Sequence, residues 1–210
     1  NLGDKLHKSA GVLCANSIDE LYLCLVSHWN EPENIILKSK EPKTVLTDIN
    51  RKPLLTSAVE QMMALDTLSY LPDDILAKVD RAAMAVSLET RVPFLNHKVV
   101  EQAWTIPQSL KLKNGVGKHC LREVLFRYVP KELIERPKMG FGVPIGEWLQ
   151  GPLKDWASKL LDEKRLKEEG FFDAEAITKM WHEHSTGARN WQYHLWDILM
   201  FQSWYETHHK

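Results

Sequence analysis

The 210-residue sequence is short of cysteine, of long apolar runs and of net charge. Its three cysteines, Cys14, Cys24 and Cys120, lie too far apart for a CxxC pair or a metal-ligand spacing. An odd count of this kind fits small buried hydrophobes in a reducing cytosol, so a cytoplasmic location is expected. No apolar run approaches the roughly 20 residues that span a bilayer, and no signal peptide is visible, so no membrane association is expected. The formal net charge of −1 gives no basic surface for nucleic acid. An initial Met is lacking too, which suggests a chain that begins inside a longer one.

Two catalytic patterns are approached but not completed. Gly115-Val116-Gly117-Lys118 would need Gly at position 112 and Ser or Thr at 119 to be a phosphate-binding P-loop; Leu112 and His119 stand there. His182-Glu183-His184 would need its second histidine at position 186, which is Thr186, so no zinc-protease helix is expected. Trp181, Trp191, Tyr193, Trp196, Trp204 and Tyr205 have few basic neighbours, which favours core packing over base stacking. His208-His209-Lys210 is too short to interpret.

What is present is helical periodicity. With 44% hydrophobic and 26% charged residues the chain is globular and long enough to bury a core. Ser17 with Glu20 three residues on is a capping box, predicting a helix to about His28. The proline-containing stretch from Trp29 to Pro42 is expected to be a loop or connector. Apolar spacing predicts a helix from Leu54 to Tyr70, and Pro72 with Asp73 and Asp74 opens another that runs to about Leu88. Asn96 is placed to cap a helix through Ala103, Asn114-Gly115 to make a turn, and Lys118–Tyr128 to be helical. A short turn at Pro130–Glu135 and a loop at Pro137–Gly146 precede helices near Glu147–Leu161, Asp173–Ser185 and Ala188–Tyr205. No alternating β-branched run, βαβ rhythm or internal repeat occurs, so residues 1–210 read as a single, mainly α region.

Candidate chemistry gathers in two segments. LPDDILAKVDRAAMAVSLETRVPFLNH, residues 71–97, carries Asp80, Arg81, Glu89 and Arg91; RPKMGFGVPIGEWL, residues 136–149, carries Lys138 among three glycines. Ala82, Ala83, Ala85 and Val86 make the first helix small-sided and suited to close packing, and a charged residue on a buried helix needs a partner. Glu89 either pairs with Arg91 or Arg81 and pins the helix end, or serves a reaction. Lys138 either lies solvated on a surface loop, or presents a point charge to phosphate from a glycine-rich backbone.

The first segment is similar to the stretch ending S-L-E-x-R-V-P-F-L-D in asparagine synthetases. The second resembles the lysine loop of the family's bacterial branch, and WQYHLWDILMFQSWYE, residues 191–206, resembles the family's C-terminal helix. The resemblance implies the C-terminal part of the synthetase domain: helices that in the parent cover an α/β ATP-pyrophosphatase-type (adenine nucleotide α-hydrolase-like) core, with the parallel sheet largely outside this chain. It implies an ATP-dependent, glutamine-hydrolysing ligase that adenylates aspartate and lets ammonia displace AMP, with release of pyrophosphate. By the same resemblance Lys138 contacts phosphate and stabilises charge, Glu89 orients or deprotonates the amine, and Arg81 reaches pyrophosphate. Asp80 and Arg91 support the site, and Mg²⁺ comes with ATP, with no protein metal site.

Two departures bear on that implication. Asn96 replaces the family's Asp, keeping a helix cap and losing a charge. The nucleotide loop S-G-G-x-D-S, the acidic G-E-G-x-D-E segment and the glutaminase domain with its cysteine nucleophile do not occur here. The chain alone is therefore expected to be inactive. The acceptor stays open between aspartate and another carboxylate on a sugar or peptide precursor, as does a non-catalytic helical packing module, and so does a homodimer.

Overall fold

The structure, a computed structural model, describes residue 13 and residues 15–136 and 142–209. The chain divides into two compact units. Unit 1 is made from residues 1–52 and 142–210, and unit 2 from residues 53–141.

Unit 1 opens with α1 (Ile18–Val26), where the Ser17 side chain accepts the Glu20 N–H as the capping box predicts. The Trp29–Pro42 stretch is more than a connector. Ile35 enters the core and Ile36 forms an antiparallel bridge with Phe172, while the Leu37 N–H bonds the Phe171 carbonyl at 2.8 Å. Four short helices follow residue 142: α8 (Ile145–Gln150), α9 (Lys154–Leu160), α10 (Glu163–Glu169) and α11 (Ala174–Ser185). The long α12 (Gln192–His208) closes the unit.

The predicted helix from Glu147 to Leu161 is thus two helices. It starts earlier, at Ile145, and breaks at Gly151-Pro152, where proline cannot supply the N–H a continuous helix needs. The α10 helix is an addition to the sequence reading; Asp162 caps its start and Gly170, at φ +69°, ends it. The last helix begins at Gln192, after Ala188, because Gly187 at φ +76° and the following residues turn the chain first.

Burial explains why these short helices hold. Leu149, Ile177, Leu195 and Leu199 are completely buried, and each is worth about 1.5–3 kcal/mol relative to exposure. Helix α8 lies against α9, α11 and α12, and α9 also against α12. Phe201 meets Phe171 and Phe172 edge-on, with centroids 5.3 and 5.2 Å apart. The buried Gln202 amide donates to Glu169 Oε2 at 2.7 Å, and Glu169 also accepts from Arg165 Nε at 2.9 Å, so the polar groups inside this wall are paired with one another.

Unit 2 contains α2 (Ala58–Leu68), a π-type turn over Leu71–Leu76, and α3 (Ala77–Met84). A 3₁₀ turn at Pro93–Leu95 leads into α4 (His97–Thr105), capped by Asn96, whose Oδ1 accepts the Lys98 N–H at 3.0 Å. After α5 (Gln108–Lys111), β1 (Leu112–Lys113) and β2 (Val116–Gly117) pair antiparallel. Their connection is Asn114-Gly115, both at positive φ, as a two-residue hairpin turn requires. Helices α6 (His119–Leu125) and α7 (Lys131–Ile134) complete the described part.

The helix expected to reach Leu88 stops at Met84. Ser87 takes the left-handed conformation at φ +57°, its N–H bonds the Met84 carbonyl, and the Leu88 N–H bonds the Ala83 carbonyl. This is a Schellman closure with serine where glycine is usual, and it overrides the helix propensity of the alanines. The small-sided face is not buried as a whole either: Ala83 is buried, while Ala82, Met84, Ala85 and Val86 are exposed.

Candidate functional site

The residues singled out from positions 71–97 converge around the end of α3. An open groove of about 640 Å³ is lined by Asp80 from α3, by Thr90, Arg91 and Pro93 from the segment after it, and by Asn96 at the α4 cap. The Schellman closure makes this geometry. Because α3 ends four residues before Leu88, the chain doubles back and sets Arg91 beside Asp80 instead of carrying it away along a helix.

Glu89 and Arg91 form an ion pair, and the guanidinium also donates to the Thr90 carbonyl at 3.0 Å. The two side chains are 73% and 79% exposed. A pair this open contributes about 0–1 kcal/mol to stability, so its placement at the groove mouth is not explained by fold stability. Asp80 and Arg81 are exposed and make no ion pair among the described residues. Arg81 does not line the groove. Lys138 lies outside the described residues.

Asn96 has two roles that the sequence reading did not join: it caps α4 and it lines the groove. The helix-cap signal identified the first; the second depends on the turn at residues 85–88, for which the sequence carries no glycine as a marker. On the same helix as Asp80, Lys78 pairs with Asp74. That hydrogen bond is the main cause of a lysine pKa raised above its ordinary value, so the ammonium stays charged.

The perturbed histidines belong to unit 1. His184 is 1% exposed, and burial holds its pKa below the ordinary value while the Gly146 backbone acts in the opposite direction. Its Nδ1 accepts the Trp191 N–H at 3.2 Å, which leaves the proton of the neutral ring on Nε2. His194 is also lowered, first by burial and then by the nearby His28, against the attraction of Asp197. His182 is exposed where His184 is buried, as expected of residues two apart on a helix. Among the described residues no group of three His, Cys, Asp or Glu side chains could hold a metal ion, and no helix is long and apolar enough to cross a membrane.

The asparagine synthase family model matches residues 1–206. Among curated relatives, glutamine-hydrolyzing asparagine synthetase 1 of Bacillus subtilis is 30% identical over 174 residues, covering 81% of this chain and 27% of that protein. The glutamine-hydrolyzing asparagine synthetase of Mus musculus is 27% identical over 188 residues, covering 78% of this chain and 32% of that protein. The chain thus spans about a quarter to a third of the length of these relatives. No solved structure gives a significant match.

Proposed function

Since the chain belongs to the asparagine synthase family, we propose that it supplies the C-terminal helical part, residues 1–210, of an ATP-pyrophosphatase-type synthetase domain in a glutamine-hydrolysing asparagine synthetase. The parent adenylates aspartate with ATP, releases pyrophosphate, and transfers glutamine-derived ammonia to give asparagine and AMP. The observation that carries this reading is the Asp80–Arg91–Asn96 groove, which falls within the family match and has the Glu89–Arg91 pair at its mouth.

Each residue has a role that its chemistry permits. Lys138 is the fixed cation for the phosphate oxygens on which charge develops as pyrophosphate leaves. Glu89 orients or deprotonates the incoming ammonia, and an exposed carboxylate at a groove mouth is free to meet it. Arg91 braces Glu89 and faces the groove, Asp80 supports from the opposite wall, and Arg81 extends toward pyrophosphate.

Mg²⁺ is carried by ATP in this reading. The described residues offer no protein cage for it: Asp80 is the one carboxylate lining the groove, and hard oxygen donors in numbers are absent there. No step is assigned to a protein-held metal.

Unit 2 leaves large apolar side chains exposed, among them Val86, Phe94 and Tyr128 at 74%, 61% and 81%. Patches of this kind mark contact surfaces, which supports a chain that is inactive alone and completed by other parts of its parent. The same surface favours a second reading, a helical packing module without catalysis of its own. Pyrophosphate release by the full-length parent, supplied with Mg-ATP, aspartate and ammonia, decides between them when set beside its Lys138→Ala variant. A loss of about 100-fold or more supports the catalytic reading; equal rates exclude it.

A further inference from the structure

Helix α8 begins without a cap of its own. Pro144 occupies the N-cap position and makes no side-chain bond to the helix. The first N–H groups of a helix have no partner within it, yet the Gly146 N–H is satisfied: it donates to Gln192 Oε1 at 2.9 Å, from the first residue of α12. The acceptor comes from 46 residues away in sequence.

Glycine is needed for this approach. A Cβ at position 146 would stand 3.0 Å from Gln192 Oε1 and 3.7 Å from His184 Cε1. The same corner is tied twice more, by Gln150 Nε2 donating to the His184 carbonyl at 2.8 Å and by the His184 ring accepting the Trp191 N–H. Ile145 and Leu149 are buried on either side of Gly146. One amide at the start of α8 is therefore held by a side chain whose own helix is the longest and best-buried element of unit 1.

Gly146 is eight residues after Lys138 in the chain. We infer that Gln192 is a positioning residue: by capping the Gly146 N–H it fixes the downstream end of the segment that carries Lys138. The inference rests on the role proposed above for Lys138. A cation stabilises developing charge only when it is held in place, and a displacement of about 1 Å can cost on the order of 100-fold in rate.

Two variants separate the cap from general damage. Gln192→Met keeps the side-chain length and offers only a weak acceptor; Gln192→Glu keeps an acceptor oxygen for the same N–H. In this chain, backbone hydrogen exchange at Gly146 and Glu147 is expected to speed up about tenfold in the Met variant and to stay near the original rate in the Glu variant. Protection over 195–199 should be unchanged in both, which shows that the unit remains folded. In the full-length parent, Gln192→Met should lower kcat for pyrophosphate release by about 10–100-fold, with KM for aspartate within about twofold, and Gln192→Glu should restore most of it. Unchanged exchange in the Met variant overturns the cap. Full activity of Gln192→Met beside an inactive Lys138→Ala overturns the positioning role alone. A fully active Lys138→Ala removes the functional reading, and the positioning inference goes with it.

Discussion

The two units of this chain divide the work of folding and the work of chemistry unequally. In unit 1 the α8–α12 helices, each but one shorter than thirteen residues, enclose a continuous core from Ile35 to Leu199. In unit 2 the described residues bury Gln61, Ala64, Leu65 and Ala83, and little else completely. Yet the groove and the Glu89–Arg91 pair are in unit 2. Short helices persist when their apolar faces are covered, so the surface of unit 2 is that of a structure whose cover is supplied from elsewhere. The part with its own core acts as an anchor, and the part with the candidate site awaits completion.

Truncations in the two units should differ sharply if this contrast is right. Leu199→Ala or Ile177→Ala, at fully buried sites, should cost about 2–5 kcal/mol in urea unfolding. Leu88→Ala, at an exposed site in unit 2, should stay within about 0.5 kcal/mol. A large loss at Leu88 would mean that unit 2 has a core of its own and would break the comparison.

Caps sharpen it at a smaller scale. Gly170→Ala forces a side chain into φ +69° and should cost about 1 kcal/mol, although nothing stands within 4 Å to clash with it. Asp173→Ala removes the acceptor for the Ala176 N–H at 3.0 Å and should cost about 0.5–2 kcal/mol. Both are read in the same urea titration.

The pH dependence of unit 1 has a fixed sign. His184 and His194 bind protons less readily in the folded chain than at their ordinary value of 6.5. The unfolded state therefore takes up more protons as pH falls below 6.5. The stability contributed by keeping these rings neutral is full above that value, and it is lost progressively down toward the lowered folded values. Urea midpoints measured from pH 7.5 to 5.5 should fall, and His184→Gln together with His194→Gln should flatten the slope. In unit 2, Glu89→Gln should leave the midpoint nearly unchanged, by less than about 0.5 kcal/mol, because its ion pair is exposed. The same change should depress pyrophosphate release by the parent.

Local signals in the sequence located what local physics decides. Ser17, Asn96 and Asp173 mark helix starts because a side-chain oxygen next to orphan N–H groups suffices, and Asn114-Gly115 marks the hairpin because both residues tolerate positive φ. The α10 helix escaped notice because its sequence, EKRLKEE, buries only Leu166 and so carries no apolar period; its true markers are Asp162 and Gly170 at its ends. The stop at Met84 was hidden by a serine in a place where glycine would have announced it. Asp80, Glu89 and Arg91 were legible as residues with a role, but their meeting at a groove depends on that stop and not on a shared helix face. Gln192 gave no sequence signal at all, since its partner is 46 positions away and its type is ordinary on a helix.

The most direct test of the division between anchor and incomplete site is pyrophosphate release by this 210-residue chain alone, with Mg-ATP, aspartate and ammonia, beside the full-length parent. The account predicts no aspartate-dependent release from the chain and clear release from the parent. Aspartate-dependent release by the chain alone, lost on Lys138→Ala, would show a complete site within these residues and contradict it.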